Sequence, residues 1–289
     1  MDQQMKLRGF LFISVTAVIC LLLFFPLKDL LFSKAGGMFY EYYSHIYLIP
    51  LVSAYLLYLR RDEIRAEVAY ALPFGLPVVA LGIIGYGAAL AQGASLDFID
   101  GIAWRIGSLL VAWLGAFLLF FGTRAFKEAL FPLLFLFFVV PLPTDLMDTF
   151  IHVLQVGSTW STALIFNLVG TSYYQEGFVF QMGKVTIEVA KECSGIRSTM
   201  ALVITGVLAA HLFLRRPWSK LILMLTILPI TVFKNGLRIV ILTLLAIHVD
   251  ERFLTGGFLH KSGGFLFYIP GLVIFGAILL FLRKMERKE

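Results

Sequence analysis

Long apolar runs separated by short polar stretches dominate the chain. Read for runs of the ~20 apolar residues that cross a bilayer as a helix, the pattern predicts spans near 9–27, 43–59, 72–92, 102–123, 127–142, 194–214, 219–247 and 264–282. The first follows Lys6 and Arg8, as a signal peptide would. Its apolar run continues past the usual length and no small-residue cleavage site follows, so it reads as an anchor. Residues 149–170 break the simple pattern. They are long enough to cross, but they carry His152, Gln155, Ser158, Thr159, Ser161, Thr162 and Asn167. If they crossed, every later loop would change sides. They read as a helix at the outer interface or a re-entrant one, with a ninth ordinary span as the alternative. Further on, residues 177–190 alternate β-branched and aromatic residues with others around Gly183-Lys184. That predicts a small β-hairpin ending just before Cys193.

Composition agrees with the pattern. The chain is 60% apolar and 15% charged, against ~45–50% and ~25% in soluble domains. This excludes an ordinary soluble enzyme and a disordered chain. Two cysteines, Cys20 and Cys193, exclude a disulfide scaffold. With no internal repeat, low-complexity tract or linker, residues 1–289 read as a single integral membrane domain. The expected fold is an all-α polytopic membrane protein of about eight transmembrane helices, with the interfacial helix and the hairpin as additions.

The net charge of +6 suggests a nucleic-acid partner until its distribution is considered. Of the 24 Lys and Arg, 14 fall in five clusters: Lys6/Arg8, Arg60/Arg61/Arg65, Arg124/Lys127, Arg215/Arg216/Lys220 and Arg283/Lys284/Arg287/Lys288. The segments between are close to neutral. By the positive-inside rule the clusters are cytoplasmic, and so are both termini. The charge therefore reports topology and the lipid bilayer as partner, with no nucleic acid.

Three stretches carry candidate chemistry. In Lys191-Glu192-Cys193-Ser194-Gly195-Ile196-Arg197-Ser198, Cys193 falls near the start of the sixth predicted span. Free N–H groups and the helix dipole there stabilise a thiolate. Ser194 can cap the helix and Gly195 permits close backbone approach. Cys20, mid-span, fits the alternative of an inert buried thiol. In Phe233-Lys234-Asn235-Gly236-Leu237-Arg238, charged residues interrupt a long apolar run, at a cost of ~2.5–3.5 kcal/mol for a charge mid-membrane. Asn235 and Arg238, three apart, share a helix face. The alternative is an Arg that snorkels to the interface or pairs structurally. His260, in Phe258-Leu259-His260-Lys261, precedes the last span on the same predicted face, and His is a natural acid/base for a thiol. His45 is a candidate supporting or substrate-contact residue. No metal is expected, because no His pair at i, i+4 and no Cys pair is present. A thiol, a cation and an imidazole at one membrane surface can cleave an amide. Water as second nucleophile gives hydrolysis, and an amine or hydroxyl gives transpeptidation.

Glu192-Cys193-Ser194-Gly195-Ile196-Arg197-Ser198, then Asn235-Gly236-Leu237-Arg238-Ile239, then a His before the last span, resemble the exosortase/archaeosortase family. Residues 44–61 (SHIYLIPLVSAYLLYLRR), Pro141-Leu142-Pro143 and the run 176–195 extend the likeness over most of 40–265. The resemblance implies a membrane cysteine protease/transpeptidase. It would cleave C-terminal sorting tails made of a short PEP-CTERM-like motif, a transmembrane helix and a basic end. It would pass the exported protein to a surface acceptor, a polysaccharide or a lipid. Carried over, Cys193 is the nucleophile, Arg238 steadies the oxyanion or carbonyl, and His260 is the acid/base. Beyond these three, Asn235, Ser194, Gly195, Arg197 and His45 are candidate supporting or substrate-contact residues. No cofactor is implied. The expected location is the inner (plasma) membrane of a Gram-negative cell, with the site facing the periplasm. Two other readings remain: a membrane acyltransferase using Cys193, and a non-catalytic transporter or assembly factor of surface polysaccharide export.

Overall fold

The computed structural model describes residues 2–32, 43–66, 68–183, 185–191, 195–255 and 258–288, with backbone alone for 2–6, 31, 32, 44, 94, 255, 258–265 and 288. The chain divides into two compact units, Met1–Leu146 and Met147–Glu289.

The first unit holds α1 (Asp2–Phe32), α2 (Leu48–Leu59), α3 (Arg61–Ala66), α4 (Leu72–Gln92), α5 (Phe98–Glu128) and α6 (Leu130–Phe135). Glycines set how closely α4 and α5 approach. A Cβ on Gly75 would sit 2.5 Å from Leu119 Cα, one on Gly115 would sit 2.5 Å from Val79 N, and one on Gly82 would overlap the Ala112 backbone. Lipid tails are as apolar as leucine, so helices in a membrane gain by backbone proximity rather than by exclusion of water. At Gly122 the helical path of α5 breaks, with φ +90° and ψ 173°. The chain at 69–71 passes there, with Ala69 N–H donating to Phe121 O at 3.4 Å and Ala71 N–H to Leu119 O at 3.1 Å. Only glycine takes that φ without strain.

Several polar side chains in this unit have partners within it, while Arg8 Nε and Arg105 Nε are buried with none among the described residues. Trp113 Nε1 donates to Thr16 Oγ1 at 3.0 Å, and Ser53 Oγ donates to Pro132 O at 2.5 Å. Asp100 accepts from both the N–H (2.7 Å) and the hydroxyl (3.0 Å) of Thr144, fixing the start of α7 (Thr144–Leu168).

The second unit continues with β1 (Tyr174–Glu176), β2 (Val179–Met182) and β3 (Val185–Glu188). Next come α8 (Ile196–Phe213), α9 (Pro217–His248), α10 (Arg252–Thr255) and α11 (Phe258–Lys288). The three strands form one antiparallel sheet in the order β1-β2-β3. Glu176 pairs with Val179 and Met182 with Val185, so both connections are two residues long. Gly177 and Gly183 take the positive φ that such turns need, +57° and +58°. The sheet packs Phe180, Met182, Ile187 and Val189 against Phe166 and Val240.

The protein is a multi-pass, mainly helical membrane protein with a small sheet before residue 193, as the sequence predicts. Among the described residues, six helices are long and apolar enough to cross: Leu7–Leu30, Leu72–Gln92, Phe98–Glu128, Ile196–Phe213, Pro217–His248 and Leu266–Arg287. A seventh arises if Leu130–Val139 and Thr144–Leu168 form one broken span. The expected count of eight is not confirmed. The 43–59 span is a short apolar helix, and the 127–142 span is a short helix followed by a 3₁₀ turn, Leu136–Val139. The predicted hairpin gains a third strand, Tyr174–Glu176. The helix predicted within 149–170 starts at Thr144, and its polar residues Gln155, Ser158, Thr159, Ser161 and Thr162 are buried in protein.

Gly82→Leu forces α4 and α5 apart and is expected to cost ~1–3 kcal/mol, the range for overpacking. Gly87→Leu, with nothing within 4 Å of the added Cβ, is expected to be neutral. Thermal unfolding of the two purified variants in the same detergent checks the contrast; equal melting temperatures would contradict the close helix contact.

Candidate active site

Thr231, Lys234, Asn235 and Arg238 recur at i, i+3, i+4 and i+7 along α9, so they form one stripe. The first three are buried and Arg238 is half-buried. α7 brings a matching stripe of small polar residues. Gly157 lets Val232 in, where a Cβ would meet Val232 Cγ2 at 2.7 Å, and Gly236 admits Ser161, whose Oγ would be 2.5 Å from an added Cβ. This close approach puts Asn235 Nδ2 2.9 Å from Ser158 Oγ, to which it donates.

On its other side Asn235 meets the start of α8. Gly195 precedes that helix with φ +77°, and a Cβ there would lie 3.2 Å from Asn235 Oδ1. The Gly195 carbonyl accepts from the hydroxyls of Ser198 and Thr199, each at 2.9 Å, and from the Thr199 N–H at 3.0 Å. The Lys234 amine donates in turn to Ser198 Oγ. Its stem packs on α11, where a Cβ on Gly271 would be 3.4 Å from Lys234 Cδ. Asn235 and Lys234 therefore hold Gly195 from two directions.

The approach to this point is fixed from the sheet. Gln155 Nε2 of α7 donates to Val189 O at 2.6 Å, and Val189 N–H donates to Phe178 O at 2.9 Å. Both Gln155 and Val189 are buried, so losing that bond strands a buried carbonyl at a cost of ~1–3 kcal/mol. The nearby Lys191–Asp148 ion pair, 3.4 Å long and more than half exposed on both sides, is worth at most ~1 kcal/mol. Gln155, not the ion pair, is the anchor.

The charge of the stripe is uncompensated. Among the described residues, neither Lys234 nor Arg238 has a carboxylate within ion-pair distance. Arg238 Nε is buried and has no hydrogen-bond partner there. A guanidinium N–H in that state lacks the bond that would repay its desolvation, and it is a ready donor to an oxygen that enters.

Of the sequence candidates, Gly195, Asn235 and Arg238 lie on these adjoining segments. Arg197 is exposed in the first turn of α8. Cys193 and Ser194 lie outside the described residues. His260 falls in the first turn of α11, where only backbone is described, so the helix begins ahead of it rather than after it. His45 belongs to the first unit, in a 3₁₀ turn at Ser44–Tyr47. Sequence reasoning did not single out Ser158, Gln155 and Ser198 as the residues that hold the site. The signal for Gln155 and Ser158 was the 3–4 spacing of Gln155, Ser158, Thr159, Ser161 and Thr162, which marks one helix face.

Against known protein families, residues 38–282 match the one described as Transmembrane exosortase (Exosortase_EpsH). The chain belongs to the transmembrane exosortase family. The match runs through both compact units and takes in the Gly195, Asn235 and Arg238 segments. No curated protein and no solved structure matches the chain. Membership makes this exosortase, in general terms, a membrane protein-sorting transpeptidase of the cysteine type. It acts on sorting-signal substrates within a lipid bilayer.

Gly195→Ala brings strain at positive φ and a tight contact with Asn235. The expected loss of stability is ~1–3 kcal/mol. In the double variant with Asn235→Ala, the loss is expected to fall below the sum of the single losses, because the contact is relieved. Unfolding of all three variants measures the coupling, and strict additivity would mean the two residues do not press on each other.

Proposed function

We propose that this exosortase cleaves C-terminal sorting tails of exported proteins at a motif of the PEP-CTERM kind and passes the new C-terminus to a surface acceptor. The Cys193 thiolate attacks the scissile carbonyl. The carbonyl π electrons move to oxygen, and Arg238 donates to the oxyanion that forms. His260 gives a proton to the leaving amine as the C–N bond breaks, leaving a thioester on Cys193. His260 then takes the proton of a hydroxyl, amine or water that attacks the thioester, and the thiolate leaves.

The observation that carries this reading is the contact of Gly195 with Asn235. It joins the segment that follows Cys193 in the chain to the helix that bears Arg238. The Arg238 Nε, which has no acceptor among the described residues, supports its assignment, since an oxyanion would supply one. Asn235 is a positioning residue in this scheme, gripping Gly195 while bonded to Ser158. We assign the protein to the inner membrane, with both termini cytoplasmic and the site facing the periplasm, on the distribution of Lys and Arg.

A tagged sorting-tail substrate co-expressed with the enzyme tests the scheme. Unprocessed precursor is expected to accumulate with Cys193→Ala, Cys193→Ser and His260→Ala at normal enzyme levels. Arg238→Ala is expected to slow processing by about 100- to 1,000-fold, the loss typical of one oxyanion donor. Normal processing in both Cys193 variants would remove the nucleophile. A transport or assembly role would then account for the protein better. A lipid trapped on Cys193 as a thioester, in place of a polypeptide, would make it an acyltransferase.

A further inference from the structure

The first unit contains a cavity of about 950 Å³ between α1, α2, α5 and the 3₁₀ turn after α6. It is independent of the site above and of the chemistry proposed there. Its wall is apolar over nearly its whole length: Cys20, Leu23 and Leu27 of α1, Ala54 of α2 and Ile106 of α5 contribute. Two of the polar side chains that reach it are already satisfied: the Thr16 hydroxyl donates to Phe12 O at 2.8 Å and accepts from Trp113, and Ser53 donates to Pro132 O. The charged side chain in the lining is Lys28, which is exposed and has no carboxylate within ion-pair distance among the described residues. Asp29, next in the chain, points about 100° around the helix from it.

From Thr16 to Lys28 the α1 wall runs ~18 Å, slightly more than one leaflet of a ~30 Å hydrocarbon core, which is the reach of a lipid acyl chain. The single cation stands twelve residues of helix from Thr16. That is the pattern of a site for one long apolar chain with a negative group at one end. Lys6 and Arg8 mark the opposite end of α1, which puts Lys28 at the other bilayer surface, at headgroup level. We propose that this cavity binds an anionic phospholipid, with its acyl chain along α1 and its phosphate on Lys28.

Native mass spectrometry of the full-length protein, stripped of lipid in detergent and then offered phosphatidylglycerol or phosphatidylcholine, tests this. Wild type is expected to retain one phosphatidylglycerol in preference to phosphatidylcholine by about fivefold, the worth of one lysine near an anionic surface. Lys28→Gln is expected to bring the two lipids level. Ala54→Trp, which fills the cavity, is expected to lose both. Melting temperatures within a few degrees of wild type establish that the variants are folded. If Ala54→Trp unfolds, Leu23→Phe replaces it. Equal retention of the two lipids by wild type, or undiminished retention by the folded cavity-filling variant, would overturn the proposal. So would release of a peptide, or of a second copy of the chain, from the cavity in place of a lipid.

Discussion

Asn235 is the constraint on which the second unit is arranged. In an apolar medium a polar side chain finds a partner in the protein or costs several kcal/mol. Asn235 is almost wholly buried, donates to Ser158 and touches Gly195. Those contacts require α7 to lie close to α9, and Gly157 and Gly236 provide the room. They also require the residue before α8 to have no side chain and a positive φ, and glycine provides both. One amide thus dictates three glycines and a serine on three separate segments.

The sheet serves the same end. Its strands are three and four residues long, too short to be stable alone. They persist because Phe180, Ile187 and Val189 pack onto Phe166 of α7 and Val240 of α9. Gln155 then takes the Val189 carbonyl as the strand ends. The chain is therefore held on both sides of residues 192–194, at Val189 by α7 and at Gly195 by α9.

Much of this was legible in the sequence. Six predicted spans correspond to helices long enough to cross, because apolar length is a strong and local signal. The Asn235 and Arg238 stripe was legible too, since polar residues in an apolar helix stand out. The partners of that stripe were harder to see. Ser158, Ser161 and Thr162 sit in a segment of mixed polarity, and sequence alone does not say whether such a face meets water or another polar helix. Here it meets α9. The third strand, Tyr174–Glu176, is exposed throughout and carries no alternation to detect. The 43–59 and 127–142 runs are apolar enough to suggest spans, but Leu48–Leu59 and Leu130–Phe135 are too short as helices to cross alone. Hydropathy measures what a run is made of, not where Pro and 3₁₀ turns break it.

The pair of cations on α9 shows what stability alone does not explain. Lys234 and Arg238 are one turn apart. At an effective dielectric of ~20, two unit charges ~6 Å apart repel by about 3 kcal/mol. Lys234 offsets part of its own cost through Ser198, but Arg238 keeps an N–H with no acceptor among the described residues. A carboxylate one turn away would relieve both, and α9 has none from Pro217 to His248. Leucine at position 238 would relieve the repulsion as well. A fold selected for stability would use either remedy. Positive charge with no counterion among the described residues, close to the start of α8, is stabilised when a negative centre arrives. The oxyanion of an acyl transfer is such a centre, it exists only during the reaction, and an interaction reserved for it lowers the barrier without tightening the ground state. The energetic penalty in the resting protein and the catalytic use proposed for Arg238 are on this view one property.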